Sequence, residues 1–473
     1  MREQVLAACK RIVVKVGSSL VASSQGGLRL DRINRLAQEL GTLQAQGRQI
    51  VVVSSGAIVA GISHLAILSH FGRYQGRPSI TRDLFRKSRS GSKDLMREQV
   101  LAACKRIVVK VGSSLVASSQ GGLRLDRINR LAQELGTLQA QDRQIVVVSS
   151  GAIVAGISHL AIFPYPAELP LQQAAAAVGQ SRLMRAYEMA FEETKNKIAQ
   201  VLLTHQDLSD RRRFLNARHT LNTLIQLKVI PIINENDTVA IEEIRFGDND
   251  TLAGEVAHLV DADLLVILSD VDGLYSQDPH LNPSAKLIPL VANVTKDIED
   301  LAGTSRTQAS RGGMVTKIRA AKQAGRFGVP TLLLNGETPH ALENVLNGKP
   351  GGTFFVSDQS PLTSRKQWIA YTLRPKGELR LDEGAVAALT LRGKSLLPSG
   401  ILDISGIFLT GDPITCATRE GMPFAQGLTN YSAETLHRIK GKKTSDIRQL
   451  LGSLEYEEVI HRDNLVLTKR QVS

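Results

Sequence analysis

Residues 106–114 read Arg-Ile-Val-Val-Lys-Val-Gly-Ser-Ser, and residues 144–151 read Gln-Ile-Val-Val-Val-Ser-Ser-Gly. Each is a short run rich in β-branched residues that stops at a glycine- or serine-rich turn, the pattern of a buried strand. Between them Arg124–Gln141 has the spacing of an amphipathic helix. Strand, helix and strand at this spacing make a parallel crossover unit. Working outward, Ile198–Leu203, Val229–Ile233, Leu264–Leu268 and Thr331–Leu334 read as further buried strands. Gln172–Phe191, Ala217–Lys228 and Met314–Ala324 read as helices between them. The alternation predicts an α/β fold: a three-layer α/β/α sandwich around a mostly parallel sheet, with ligands gathered beyond the strands' C-terminal ends.

The same unit occurs twice. Residues 1–67 reappear as 96–162 and agree at 66 of 67 positions, the one difference being Gly47 against Asp142. Solenoid repeats diverge and come in threes or more, so this is not a repeat architecture. Near-identity over such a length marks a recent duplication or a gene-assembly error, with Met96 as the ancestral start. Both copies compete for one place in a sheet. Copy two reaches the next helix through roughly 9 residues and copy one through roughly 104, a closure difference of about 2 kcal/mol against copy one. Gly47 offsets about 1 kcal/mol of this, because it sits where a helix ends before a strand and a left-handed residue is wanted. Copy two is expected in the sheet, leaving Ile50–Val53 of copy one as an unpaired strand, with insertion into a neighbouring protomer as an alternative. The stretch from Leu68 to Leu95 lacks periodicity and reads as a basic, disordered linker.

The 473 residues carry a net charge of +13, which invites a nucleic-acid reading. Residues 1–95 hold 15 basic and 5 acidic residues, a net of +10, which leaves +3 for the rest. Aromatic residues are only 4% of the chain, too few for base-stacking platforms. Cys9, Cys104 and Cys416 show no ligand spacing and no disulfide framework. Lys10, Arg11 and Lys15 interrupt any secretory signal, and no apolar run is long enough to span a membrane. A reducing cytoplasm is the expected compartment.

Near residue 377 the texture changes to short strands punctuated by Gly384, Gly393, Gly400, Gly406, Gly411 and Gly421, which predicts a small β-rich domain. The organisation reads as a duplicated unit over 1–67, a linker over 68–95, an α/β domain over 96–372 and a β-rich domain over 377–473.

Polar or glycine-rich tips follow several of the predicted strands. Lys110 with Gly112 closes the first, offering an ammonium and turn amides to phosphate oxygens. Ser149-Ser150-Gly151 closes the second; its plain alternative is a serine helix cap. Asn234-Glu235-Asn236-Asp237 follows a buried run, and Asp237 suits an ammonium. Phe246-Gly247-Asp248-Asn249-Asp250 opens a helix, where a carboxylate either caps or orients lysines. Ser269-Asp270 is a further tip. Gly312-Gly313-Met314-Val315-Thr316-Lys317 is a glycine turn with a lysine one turn into a helix, fit for nucleotide phosphates or for a plain cap. Arg211-Arg212-Arg213 reads as a solvated helix start. Two lysines among polar strand tips, with no cysteine–histidine pair and no metal cluster, suit phosphoryl transfer.

These blocks, together with Gln173–Gln180 (QAAAAVGQ), Leu208–Asn222, Ile230–Val239 (IPIINENDTV) and Ile244–Leu252 (IRFGDNDTL), resemble the glutamate 5-kinase family. From Gly377 onward, GKSLLPSG at Gly393–Gly400, Gly406–Asp412 and Asn430-Tyr431-Ser432 resemble the PUA domain that bacterial members carry. The resemblance implies an amino acid kinase fold and Mg-ATP-dependent phosphorylation of the L-glutamate side-chain carboxylate, opening proline synthesis. It implies a homo-oligomer inhibited by proline. Lys110 and Lys317 would stabilise the phosphoryl group in flight and Asp250 would hold them. Ser150, Asp237 and Asn249 would bind glutamate. Lys110, Gly112, Ser269, Asp270 and Arg311, Gly312, Gly313, Met314, Val315, Thr316 and Lys317 would contact ATP; Mg2+ has no dedicated protein ligands. Lys15 and Ser55 are the copy-one counterparts of Lys110 and Ser150. Ser310-Arg311 departs from the family's Gly-Thr, and Gln172 stands where lysine is common. Two readings compete: RNA binding through the PUA-like domain, ranked lower because charge after residue 95 is nearly balanced, and a kinase made inactive by the duplication.

Overall fold

The computed structural model describes residues 10–21, 28–55, 57, 93–118, 122–240, 249–279, 281–303, 313–357, 375–442, 446–447 and 456–467. Two compact units comprise Met1–Gln75 and Gly76–Ser473.

The first unit holds copy one: β1 (Arg11–Val16), α1 (Leu30–Ala45) and β2 (Gln49–Ser54). β1 and β2 pair in parallel, with Arg11 opposite Gln49 and Val16 opposite Ser54. The Ile50–Val53 strand, expected to be unpaired, therefore has a partner, because the unit folds on itself. It remains short of a core. Val13 is 64% exposed and Val51 51%, and no residue of α1 is buried. Valines at such exposure forgo most of the roughly 1.5–3 kcal/mol that each would contribute if buried.

The second unit opens with α2 (Lys93–Ala103), which begins inside the stretch read as a linker because Val100 and Leu101 bury against the core. The remainder of that stretch, residues 68–92, lies outside the described residues. Copy two follows as β3 (Arg106–Val111), α3 (Leu125–Ala140) and β4 (Gln144–Ser149). Next come α4 (Ala152–Leu160), α5 (Leu169–Glu193), β5 (Lys197–Leu203), α6 (Arg211–Gln226) and β6 (Val229–Glu235). Then come α7 (Asn249–Leu259), β7 (Leu264–Ser269), β8 (Leu290–Val291), α8 (Met314–Arg326), β9 (Thr331–Asn335) and β10 (Thr353–Phe355). The eight strands lie in the order β8-β10-β9-β7-β3-β4-β6-β5. Every pair is parallel except β9 with β10. Copy two is the one in this sheet, as the shorter loop closure favours. Its β3–β4 register, Arg106 opposite Gln144 through Val111 opposite Ser149, repeats that of copy one.

All six residues of β3 are buried, and they alternate between the sheet's two faces. Ile107, Val109 and Val111 pack with Ile128 and Leu135 of α3 and Leu183 and Phe191 of α5. Val108 packs on the other face with Val256 of α7 and Ile318 of α8. The result is three layers. Period two puts Lys110 on Val108's face, under α7 and α8.

Toward the C-terminus, β11 (Gly377–Leu381), β12 (Ile401–Gly406), β13 (Pro413–Ala417), β14 (Pro423–Leu428) and β15 (Leu465–Leu467) form a separate five-stranded sheet. Their order is β12-β11-β13-β14-β15. Leu379, Ile414, Cys416, Leu436 and Ile460 fill its own core. No helix among the described residues is long and apolar enough to cross a membrane.

Candidate active site

Three strand tips and two helix starts meet at the sheet's C-terminal end. Lys110, one residue from the end of β3, is 5% exposed. Its Nζ lies 2.6 Å from Asp250 Oδ1. A Cβ added to Gly112 would stand 3.8 Å from that same Nζ, so the ammonium curls over the glycine turn. Asp250 is the second residue of α7 and fully buried. Lys317, in the first turn of α8 and 8% exposed, brings its Nζ to 3.8 Å from Asp250 Oδ2. Thr316 Oγ1 donates to the same oxygen at 2.7 Å.

One carboxylate thus faces two ammonium groups in a site that excludes water. Burial alone would push Asp250 up, but Lys110, Lys317 and the hydrogen bonds from Lys110 and Thr316 outweigh it and hold the carboxyl below the usual carboxylate range. Among these three groups one positive charge is in surplus, an attraction for an anion. Lys317 is buried and is no surface lysine, and the Asp250 carboxylate faces both lysines and Thr316.

A second cluster adjoins through Asn249, the residue before Asp250. Asn249 Nδ2 donates to Ser150 Oγ at 2.8 Å and to Asn234 Oδ1 at 3.0 Å. Asn234 Nδ2 in turn donates to Gln180 Oε1 at 2.8 Å. Ser150 does not cap α4. The cap position is Gly151, whose φ of 113° suits glycine, and an added Cβ there would meet Val116 at 2.7 Å. Asp237 sits half-buried in the turn after β6. Burial pushes its carboxyl up to about 6.

Two glycines set the distance between α4 and α5, and with it the distance between Ser150 and Gln180. A Cβ on Gly156 would lie 1.8 Å from the carbonyl oxygen of Ala175, and one on Gly179 would lie 1.8 Å from that of Ala152. Only hydrogen side chains allow this backbone-to-backbone approach. The QAAAAVGQ stretch is thereby accounted for: alanines and a glycine for the helix contact, then Gln180 at the cluster.

At the tip of β7, beside β3, Ser269 Oγ donates to Asp270 Oδ1 at 3.0 Å. Gly313 is the N-cap of α8, with Met314, Val315 and Thr316 in its first turn. Arg311, Gly312, Ser310 and the Phe246-Gly247-Asp248 stretch lie outside the described residues. Gln172, where lysine was expected, is buried and donates through Nε2 to Pro166 O at 2.8 Å. Cys104 and Cys416 are buried and their thiols pushed up to about 12, so neither is poised as a nucleophile.

Lys110, Ser150, Asn249, Asp250 and Lys317, all expected site residues, stand here as two linked clusters. Gln180 and Asn234 join them without having been assigned a role from the sequence. The signal available for Gln180 was its place immediately after a small-residue run, which marks a tight helix contact rather than a binding group.

The amino acid kinase family model matches residues 10–100 and 105–335, and the PUA domain model matches residues 377–451. A glutamate 5-kinase of Geobacter sulfurreducens is 49% identical over 372 residues, spanning 79% of this chain and all of that protein. The glutamate 5-kinases of Geobacter metallireducens and Syntrophus aciditrophicus are 50% and 47% identical, over 79% of this chain and 100% and 97% of theirs. With this identity over the whole length of such relatives, and with a fold of the matching class, the chain belongs to the glutamate 5-kinase branch of the amino acid kinase family and carries a C-terminal PUA domain.

Proposed function

We propose that this chain transfers the γ-phosphoryl group of ATP to the side-chain carboxylate of L-glutamate, giving ADP and L-glutamyl 5-phosphate, the first intermediate of proline synthesis. The observation that carries this reading is Asp250 held between Lys110 and Lys317 at the end of a parallel sheet.

In the reaction a carboxylate oxygen of glutamate attacks the γ-phosphorus, and the bond to the β–γ bridging oxygen breaks, releasing ADP. Two anions must approach each other, and the transferring group spreads negative charge over its outer oxygens. Lys110, on the β3 tip, and Lys317, on α8, offset that charge from fixed positions. Asp250 keeps both chains extended toward the site and lowers the cost of burying two ammonium groups. Ser150 and Asn249 would orient the amino acid, and Asp237 would take its ammonium. Gly112, Ser269, Asp270 and the stretch from Arg311 to Lys317 would hold the nucleotide, its phosphates resting on the amides at the start of α8. Mg2+ would arrive with ATP and would supply further charge compensation for its phosphates.

Glutamate-dependent ADP release, with trapping of the acyl phosphate by hydroxylamine, tests the reading. Absence of glutamate-dependent turnover in the folded protein refutes it. The enzyme would work in the cytoplasm as a homo-oligomer. A second reading, RNA binding, rests on the PUA domain match. Filter binding to structured RNA across a salt series tests it, and affinity that falls steeply with salt supports it.

A further inference from the structure

Three carboxamides in series lead from α5 to the serine of the site. Gln180 is nine-tenths buried and its Oε1 accepts from Asn234. Asn234, 2% exposed, is therefore turned so that its oxygen accepts from Asn249. Asn249 gives its second N–H to Ser150 Oγ. Ser150 Oγ is then already an acceptor, which leaves its hydroxyl hydrogen to be donated elsewhere.

The chain has a price at both ends. Gln180 Nε2 and Asn249 Oδ1 are buried, and among the described residues neither has a hydrogen-bond partner. A buried unsatisfied polar atom is unfavourable and calls for a reason. Reversing the carboxamides would not preserve the arrangement. If Gln180 presented Nε2 to Asn234, then Asn234 would accept with Oδ1 and turn Nδ2 to Asn249. Asn249 would answer with Oδ1 and withdraw its N–H from Ser150. The direction of the whole series thus goes with the atom that Gln180 turns toward Asn234.

We propose that Gln180 is a positioning residue for the amino-acid subsite: its carboxamide oxygen sets the polarity of Asn234 and Asn249 and so makes Ser150 a hydrogen-bond donor toward an anionic oxygen of the substrate. This rests on the glutamate kinase reading above. Gln180 acts through its neighbours and takes no part in the chemistry.

Two near-isosteric substitutions separate polarity from packing. Gln180→Leu fills the same space but offers Asn234 no acceptor. Gln180→Glu keeps an acceptor oxygen, and in so buried a position it is expected to be neutral. The expected result is a rise of roughly tenfold or more in KM for glutamate in Gln180→Leu, with KM for ATP within about twofold. Gln180→Glu should stay within about threefold of the parent for glutamate. Thermal unfolding of both proteins establishes that they are folded. A purely structural role predicts the reverse order, because a buried leucine is better tolerated than a buried carboxyl. The proposal is overturned if Gln180→Leu keeps its KM for glutamate, or if Gln180→Glu is impaired as severely as Gln180→Leu. Glutamate-dependent turnover of the parent protein, measured alongside, keeps failure of this inference distinct from failure of the kinase reading.

Discussion

Gly47 and Asp142 occupy the same turn in two copies of one unit, and both are left-handed, with φ of 78° and 64°. This is the only position at which the copies differ. A side chain at Gly47 would meet nothing within 4 Å, so the difference is one of backbone preference and not of contact. Asp142 is exposed and carries the cost of that conformation. Asp142→Gly should therefore stabilise the second unit by about 0.5–1 kcal/mol. A shift of the denaturation midpoint upward at unchanged slope is the expected reading; no shift would mean that aspartate is at ease there.

Lys15 and Lys110 are duplicates in sequence and opposites in environment. Lys15 is exposed, and Lys110 is buried against Asp250. Lys15→Ala should leave turnover within about twofold. Lys110→Ala or Lys317→Ala should reduce kcat by roughly 10²–10³ or more. Equal loss from Lys15→Ala and Lys110→Ala would mean that copy one also supplies a working site.

Removing one lysine also leaves Asp250 less compensated. Lys110→Ala should cost about 3 kcal/mol in stability. Adding Asp250→Asn should restore most of that stability while turnover stays lost. Urea denaturation of the single and double variants measures the stability half, and a double variant no more stable than Lys110→Ala would refute the charge argument.

The strands were legible because burial on both faces demands long apolar runs, and Ile107–Val111 or Leu264–Leu268 admit no other reading. Lys110 was legible as a charged residue at the end of a buried strand, whereas Asp250 and Lys317, at helix starts, drew their roles from the resemblance. Edges were less so. Helix α5 begins at Leu169 and not at Gln172, because Pro170 is suited to a first turn. Strand β6 runs on through Asn234 and Glu235, past Ile233 where the apolar run stops. The role of Gln180 could not be read at all. It depends on α5 crossing α4 at backbone contact, and nothing in a local pattern states which helix will face which.

That crossing is itself open to test. At both Gly156 and Gly179 an added methyl group would overlap a carbonyl oxygen of the facing helix, which no rotamer change relieves. Gly179→Ala should destabilise by about 3 kcal/mol or more. It should also raise KM for glutamate more than KM for ATP, because Gln180 lies on α5 and Ser150 lies just before α4. Ala177→Gly, in the same helix, serves as a control expected to cost about 1 kcal/mol. A Gly179→Ala protein of parental stability would refute the close contact.

Asp237 gives the site a pH dependence of definite sign. Its carboxyl is raised by burial to about 6 from an ordinary 3.8. The folded state then holds a proton that the unfolded state has lost, so its contribution to stability declines as pH rises from about 4 to about 6 and is flat above. The full effect is at most about 3 kcal/mol. Asp250 has the opposite sign: held low by its lysines, it stabilises above its ordinary range and ceases to do so in stronger acid. For binding, only ionised Asp237 attracts an ammonium. The ratio kcat/KM for glutamate should therefore fall toward tenfold per pH unit below about pH 6, while kcat/KM for ATP measured at saturating glutamate should not follow it. Asp237→Asn should show low, pH-independent kcat/KM for glutamate in this window and lose the decline in stability between about pH 4 and 6. A parent protein with a flat glutamate profile down to pH 5 would remove Asp237 from the amino-acid subsite.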